Sequence, residues 1–293
     1  MVKPERILVG YDFSAESEVA LAQGFAVARQ VGAELILAHV APRLDTSDAR
    51  LATTQQVSFA ALEERLGEAR ARIAGQGVRV SQHLVEGDPD DALVSLQRDR
   101  DAELLVVGSH GRSGVRWLLL GSVAERAVRT SSRSVLIARG ERAAKSGFRR
   151  VVAATDFSDS SMAALEVALD IAAPDAEVEL LHCWQIVIPG FLDWGGSAFE
   201  YAEVRDDVLA SAERRGREIV RRCARSHRNL ELSLVEQPPR QGIHRRLEDG
   251  ECDLVALGSR GHRGVQRWLL GSVAESIARH APCSVLISHD GSR

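Results

Sequence analysis

Two stretches of this chain carry the residue types from which a phosphate cradle is built. Their spacing is Gly108-x2-Gly111-x9-Gly121-Ser122 and Gly258-x2-Gly261-x9-Gly271-Ser272. Glycine lets backbone N–H groups come close to a ligand and permits turns closed to other residues. Ser122-Val-Ala-Glu125 and Ser272-Val-Ala-Glu275 read as capping boxes, which start a helix at the end of each stretch. The free N–H groups and dipole of a helix start suit a phosphate. Within the stretches, Ser109, His110, Arg112 and Gly114, and Ser259, Arg260, Arg263 and Gly264, are candidate contacts; His110 is matched by Arg260, and Arg112 by His262. Asp12 and Asp156 are the acidic partners, able to accept hydrogen bonds from ribose hydroxyls or an adenine amino group. Gly-Ser before a helix also serves as a plain cap, and Asp before Phe-Ser as a turn cap. The recurrence of both features, together and twice, favours a nucleotide cradle. That cradle has no lysine: of 37 basic residues only Lys3 and Lys145 are lysines, so a P-loop is excluded, and no G-x-G-x-x-G follows the first strand.

The elements that must hold these residues are written twice. Residues 108–137 and 258–287 share 17 identities in 30 positions, and Arg6-Ile-Leu-Val-Gly-Tyr-Asp-Phe-Ser14 recurs as Arg150-Val-Val-Ala-Ala-Thr-Asp-Phe-Ser158. This is a tandem duplication, with a first domain at 1–140, a second at 148–293, and the segment from Arg139 to Arg150 as linker. Short apolar runs alternate with helical periodicity. In the first half, strands are expected at 7–10, 34–40, 78–85, 104–108 and 134–138, with helices at 16–31, 57–74, 90–98 and 122–129. The second half repeats the order, with strands at 151–154, 177–183, 230–235, 254–258 and 284–288. The fold class is α/β: two tandem doubly wound, five-stranded parallel-sheet (Rossmann-like) domains. Such sheets bind ligands beyond the carboxyl ends of the strands, where strand order reverses. With order 3-2-1-4-5, that point lies between Asp12 and the Gly108 loop, and between Asp156 and the Gly258 loop.

Composition narrows the function classes. A net charge of −4 on 293 residues, with neither half basic, argues against nucleic acid as partner. The longest run without a charged residue, Leu180 to Leu192, is too short to span a membrane, which needs about 20 apolar residues. No apolar signal region precedes Ile7, so a cytoplasmic location is expected. Cys183, Cys223, Cys252 and Cys283 form no C-x-x-C pair and match no zinc spacing; they read as isolated core or surface thiols. No metal site is expected. His39 and His182 occupy equivalent strand positions and read as structural. No spacing specifies a nucleophile and base, so no enzyme activity is expected.

The chain resembles the universal stress protein family in its tandem form. The resemblance rests on Val9-Gly-Tyr-Asp12-Phe-Ser14, Ala38-His-Val40, Val107-Gly-Ser-His-Gly111 and Gly121-Ser-Val-Ala-Glu125, and on their second copies at Ala154-Thr-Asp156-Phe-Ser158, Leu181-His-Cys183, Leu257-Gly-Ser-Arg-Gly261 and Gly271-Ser-Val-Ala-Glu275. It covers nearly the whole chain and points to the ATP-binding branch. It implies ATP, with magnesium as an accompanying ion, and fifth-strand pairing between domains. Gly10, Asp12 and Val40 would lie beside adenine and ribose, Gly108 through Gly114 around ribose and phosphates, and Gly121, Ser122 and Val123 at the phosphates. The second-half equivalents are Ala154, Asp156, Cys183, Gly258 through Gly264, Gly271, Ser272 and Val273. It further implies a role in stress adaptation. The second half departs at Gln237-Pro238-Pro239, which replaces Gly87-Asp88-Pro89, and by a seven-residue longer stretch containing Trp184, Phe191, Trp194 and Tyr201. That aromatic stretch is placed either to cover the nucleotide or to pack on a partner, and it motivates an expected homodimer or a protein partner. The reading is an ATP-binding stress-response regulator with little or no turnover; the alternative is a nucleotide-independent scaffold of the same fold.

Overall fold

The computed structural model describes residues 3–43, 49–110, 120–186, 198–224, 229–248, 251–261 and 270–289. The first half runs β1 (Arg6–Gly10), α1 (Ala15–Val31), β2 (Glu34–Ala41), α2 (Ala49–Ile73), β3 (Val80–Glu86), α3 (Pro89–Asp99), β4 (Leu104–Gly108), α4 (Ser122–Thr130) and β5 (Ser134–Ala138). A short helix α5 (Arg142–Ser146) leads into β6 (Phe148–Ala154), α6 (Asp159–Ile171), β7 (Ala172–Trp184), α7 (Ala198–Cys223), β8 (Leu230–Glu236), α8 (Pro239–Glu248), β9 (Leu254–Gly258), α9 (Ser272–His280) and β10 (Ser284–Ser288).

Each half has the strand order inferred from the sequence, and the two halves join into one ten-stranded sheet, β3-β2-β1-β4-β5-β10-β9-β6-β7-β8. Pairing is parallel within each half and antiparallel only at the seam, where Leu136 faces Leu286 and Val135 faces Ile287. Leu136 and Leu286 are equivalent positions of the repeat, so the pseudo-two-fold axis passes between them. The edge that β5 would expose alone is closed by β10, which removes an open template for aggregation.

The strands are apolar because both sheet faces are covered. One apolar cluster packs Leu21, Leu66, Leu136, Leu165, Cys223 and Leu286 beneath α1, α2, α6 and α7; the other packs Leu93, Ala124, Val135, Ile243, Ala274 and Val285 beneath α3, α4, α8 and α9. Both clusters cross the seam. Further polar contacts tie the halves. Gln23 Nε2 donates to the carbonyls of Arg139 and Gly140 at 2.9 Å each, while Ser284 Oγ donates to Gln23 Oε1 at 2.9 Å. Arg129 reaches Glu275 at 2.8 Å and Arg279 reaches Glu125 at 2.9 Å.

The segment expected as a linker is built into the fold instead. Ala143 and Phe148 are buried, and Gly147 takes φ 71°, a left-handed turn between α5 and β6 that suits glycine. Strand β6 therefore starts at Phe148, three residues earlier than its apolar run suggests, because the exposed Arg149 and Arg150 masked it. Among the described residues no helix is long and apolar enough to cross a membrane.

Candidate functional site

The turn after β1 and its copy after β6 are built alike. Ser14 caps α1 and Ser158 caps α6, each hydroxyl accepting from the N–H three residues on. Asp12 Oδ1 accepts from the Ser14 N–H at 3.0 Å and Asp156 Oδ1 from the Ser158 N–H at 3.1 Å; both serine hydroxyls donate to the same oxygens. Phe13 and Phe157 sit at φ 65°, an uncommon conformation for a non-glycine residue. Each is held by the adjacent strand: Phe13 packs 4.7 Å from the His39 ring and Phe157 4.5 Å from the His182 ring, centroid to centroid.

The histidines themselves fix these turns. His39 Nδ1 donates to the Tyr11 carbonyl at 2.6 Å, and His182 Nδ1 to the Thr155 carbonyl at 2.8 Å. Burial lowers the His182 pKa. Both act on the residue before the aspartate, which is the structural role inferred for them. Behind Asp12, burial and the neighbouring Glu18 push the Tyr11 phenol up to about 12.

The glycine loops start at the ends of β4 and β9 and close on themselves. The Gly121 N–H donates to the Ser109 carbonyl at 2.9 Å and the Gly271 N–H to the Ser259 carbonyl at 2.8 Å. In the second half the loop meets the aspartate directly: a Cβ on Gly261 would lie 2.6 Å from Asp156 Oδ2. Ser160 Oγ donates to the Arg260 carbonyl at 2.6 Å, pinning the loop to the first turn of α6. Among the described residues, Ser259 Oγ and His110 Nε2 are buried without a hydrogen-bond partner. An unpaired buried polar atom is costly and calls for an explanation. Gly111, Arg112, Gly114, Arg263 and Gly264 lie outside the described residues.

The expected capping boxes do not form. The N-caps are Gly121 and Gly271, neither supplying a side-chain bond, with Ser122 and Ser272 as first helical residues. Ser122 Oγ donates instead to Asp90 Oδ1 at 3.2 Å. Glu125 is drawn away by Arg129 and Arg279, and Glu275 by the same two arginines. Val123 and Val273 follow in the first turns and pack against the second apolar cluster. The two caps have ordinary extended backbone, with φ −63° at each. Glycine is therefore not demanded by conformation at either position, and its presence leaves first-turn N–H groups uncovered by a cap side chain.

Other glycines have a packing reason. A Cβ on Gly108 would stand 2.9 Å from the Glu16 carbonyl carbon, and one on Gly258 2.5 Å from Ser160 Oγ, so these two let a helix start abut a strand end. Gly10 makes room for Leu93, whose Cδ1 would lie 2.7 Å from an added Cβ. Ala154, Val40 and Cys183 are buried at the strand ends where the sequence put them. The Cys183 sulfur points at Gly242 of α8, 2.6 Å from where a Cβ would be, and burial pushes its thiol up to about 11.

Sequence reasoning missed two cations. Arg65 of α2 lies over the Phe13 ring, 4.1 Å from its centroid, and Arg215 of α7 acts electrostatically on His182. Each brings positive charge from the second helix to the Asp-Phe turn. Their only sequence signal is position in a long amphipathic helix. A separate hollow of about 430 Å³ is lined by Gln237, Arg240, Gln241, His244, Arg245 and Glu248, none of them an expected site residue. Phe191 and Trp194 of the aromatic stretch lie outside the described residues. Trp184 is buried, with Arg205 5.8 Å from its ring centre.

Two segments of the chain, 4–139 and 147–289, match the model of the universal stress protein family. The chain belongs to the universal stress protein family. A universal stress protein of Mycobacterium bovis is 38% identical over 141 residues, covering 45% of each sequence. One from Mycobacterium tuberculosis is 34% identical over 136 residues, covering 45% of this chain and 44% of its own length. The chain thus aligns with about half the length of the curated relatives it matches. A universal stress protein of Archaeoglobus fulgidus, solved by crystallography, superposes over 98% of this chain and 99% of its own at TM-score 0.69 and 23% identity, a likeness of fold.

Proposed function

We propose that each half of this universal stress protein holds an adenine nucleotide, ATP, between its aspartate turn and its glycine loop. The bound nucleotide serves as a signal in a stress response rather than as a substrate to be consumed. One observation carries the reading: Asp156 and Gly261 meet at the carboxyl ends of β6 and β9, beside the unpartnered Ser259 hydroxyl. That is the switch point of the sheet, with an acceptor for ribose or adenine on one wall and backbone donors on the other.

The residues suit such a ligand. Gly121 and Gly271 leave helix starts open to phosphate, and Arg65, Arg215 and Arg260 supply positive charge in place of lysine. Among the described residues no group of three or more His, Cys, Asp or Glu gathers to hold a metal ion. Magnesium would therefore arrive with the phosphates. His39 and His182 direct Nδ1 to backbone carbonyls, so neither is posed as a general base through that atom. Turnover is slow on this reading because the sequence spaces no nucleophile and base together.

A scaffold that works without nucleotide is the second reading. It is favoured by Gly108 and Gly258, whose lack of a side chain is explained by packing alone. Mass spectrometry of small molecules released by denaturing the purified chain separates the two. Release of ATP, AMP or a cyclic adenine nucleotide supports the first reading; a chain that carries none and takes up none on incubation supports the second.

A further inference from the structure

We propose that Cys252 and Cys283 form a thiol-oxidation site that closes to an intramolecular disulfide on exposure to a hydroperoxide. Cys252 lies two residues before β9 and Cys283 one residue before β10, and these neighbouring strands are parallel, with Ser284 opposite Leu254. The Ser284 N–H donates to the Asp253 carbonyl at 3.2 Å, which fixes the two strand starts side by side. Both cysteines pack into the apolar cluster beneath α8 and α9, and the Cys252 thiol donates to the Leu254 carbonyl at 3.1 Å. The first half carries Ala102 and Arg133 at these positions, so the pair belongs to the second half alone.

The two thiols are unlike in ways that assign their roles. Cys252 is partly exposed and Cys283 is buried. The neighbouring Cys283 thiol lowers the Cys252 pKa against the opposing effect of burial, whereas Cys252 and burial both raise that of Cys283. A sensor cysteine is a low-pKa, accessible thiol beside a resolving partner. The Cys252 thiolate attacks one peroxide oxygen, the O–O bond breaks, and the leaving oxygen departs as water or alcohol after taking a proton. Cys252 is then a sulfenic acid. The Cys283 sulfur attacks the Cys252 sulfur, its proton goes to the departing hydroxide, and water leaves. Two thiols are oxidised by two electrons and one hydroperoxide is reduced.

The consequence follows from what lies between the two residues. The chain from Cys252 to Cys283 contains β9, the whole second glycine loop and α9. A disulfide would staple both ends of that segment at the foot of the sheet, and would do so beside Arg139. That half-buried guanidinium interacts electrostatically with Cys283 and donates to the Ala278 and Ala281 carbonyls at the end of α9.

The test treats the reduced full-length chain with hydrogen peroxide, then measures intact mass, free thiols in denaturant and disulfide-linked peptides. The expected result is loss of two hydrogens, loss of two of the four thiols, and a single linked peptide pair containing Cys252 and Cys283. Cys283→Ser should stop at a Cys252 sulfenic acid that dimedone captures. Cys252→Ser should keep its remaining thiols at peroxide levels that oxidise the parent chain. Retention of all four thiols, linkage through Cys183 or Cys223, or linkage between chains would overturn the proposal. The peptide map of the parent chain decides the matter even if a variant fails to fold.

Discussion

Asp156 and Gly261 stand so close that a Cβ on the glycine would lie 2.6 Å from the carboxylate Oδ2. No left-handed backbone angle demands glycine there, so the constraint is space at the aspartate. Gly261→Val should leave the fold intact, because the residue is exposed, yet displace the carboxylate or the loop. We expect nucleotide affinity at the second site to fall by at least about tenfold, ~1.4 kcal/mol, with the first site unaffected. Calorimetry showing two undisturbed sites in this variant would contradict the assignment of Asp156 and Gly261 to one site.

The two halves should differ in their liking for anions. In the first, Ser122 at the start of α4 donates to Asp90, and burial raises the Asp90 pKa, with Asp88 and Asp91 adding to the rise against the opposing Ser122 bond. In the second, Arg240 follows Pro239 where Asp90 follows Pro89. Asp90→Asn removes a carboxylate next to the phosphate position and should tighten binding at the first site by up to about tenfold at low magnesium. The gain should shrink as magnesium rises. A variant that binds more weakly would show that Asp90 itself holds the ligand or its metal.

At the seam, burial decides which arginine matters. Arg129, Glu275, Arg279 and Glu125 form a ring whose side chains are 27–36% exposed, and such pairs contribute about 0–1 kcal/mol. Arg139 is half-buried, its pKa lowered to about 10 by loss of solvent, and it bonds the carbonyls of Ala278 and Ala281. Arg139→Ala should cost about 1–3 kcal/mol by leaving those carbonyls unpaired. Arg129→Ala should cost less, and its effect should vanish in high salt. Urea unfolding of both variants gives the ranking; equal losses would contradict it.

Much of this architecture is legible in the sequence, for a physical reason. Strands buried on both faces must be continuously apolar, as Leu104–Gly108 and Ser284–Ser288 are, and helix periodicity marks what lies between. The duplicated glycine spacing and aspartates mark the switch point in the sequence itself. Side-chain competition is less visible. Ser122 and Glu125 have the letters of a capping box, but Asp90, Arg129 one turn along α4 and the distant Arg279 claim them. Arg65 reaches Phe13 because α2 packs over β2 and β3, and the spacing of Cys252 and Cys283 gives no hint that parallel strands bring them together. Arg142–Phe148 reads as a polar connector because only Ala143 and Phe148 in it are anchored.

Acid should weaken the fold through its half-buried histidines. Burial depresses the folded-state pKa of His182, and also those of His83 and His244. The unfolded chain then binds more protons, so stability is full above the unfolded value of about 6.5 and is lost as pH falls through the folded values. His182→Ala should lower stability by about 1–3 kcal/mol at neutral pH, since the Thr155 carbonyl loses its donor, and should flatten the decline below pH ~6.5. Thermal melts from pH 8 to pH 5 in parent and variant measure both; an undiminished acid slope in the variant would place the titration elsewhere.

The central claim is one adenine-nucleotide site per half, and calorimetric titration of the nucleotide-free chain with ATP tests it most directly. The account predicts two equivalents bound per chain. Gly121→Leu should leave one, by filling the open helix start of α4, and Gly271→Leu should leave the other. The doubly substituted chain should bind none; its backbone angles are open to any residue, but a Cβ at position 271 lies 3.3 Å from the Ser259 carbonyl oxygen, so a thermal melt checks that the chain is folded. A parent chain that takes up no adenine nucleotide, or a double variant that binds as well as the parent, would contradict the account.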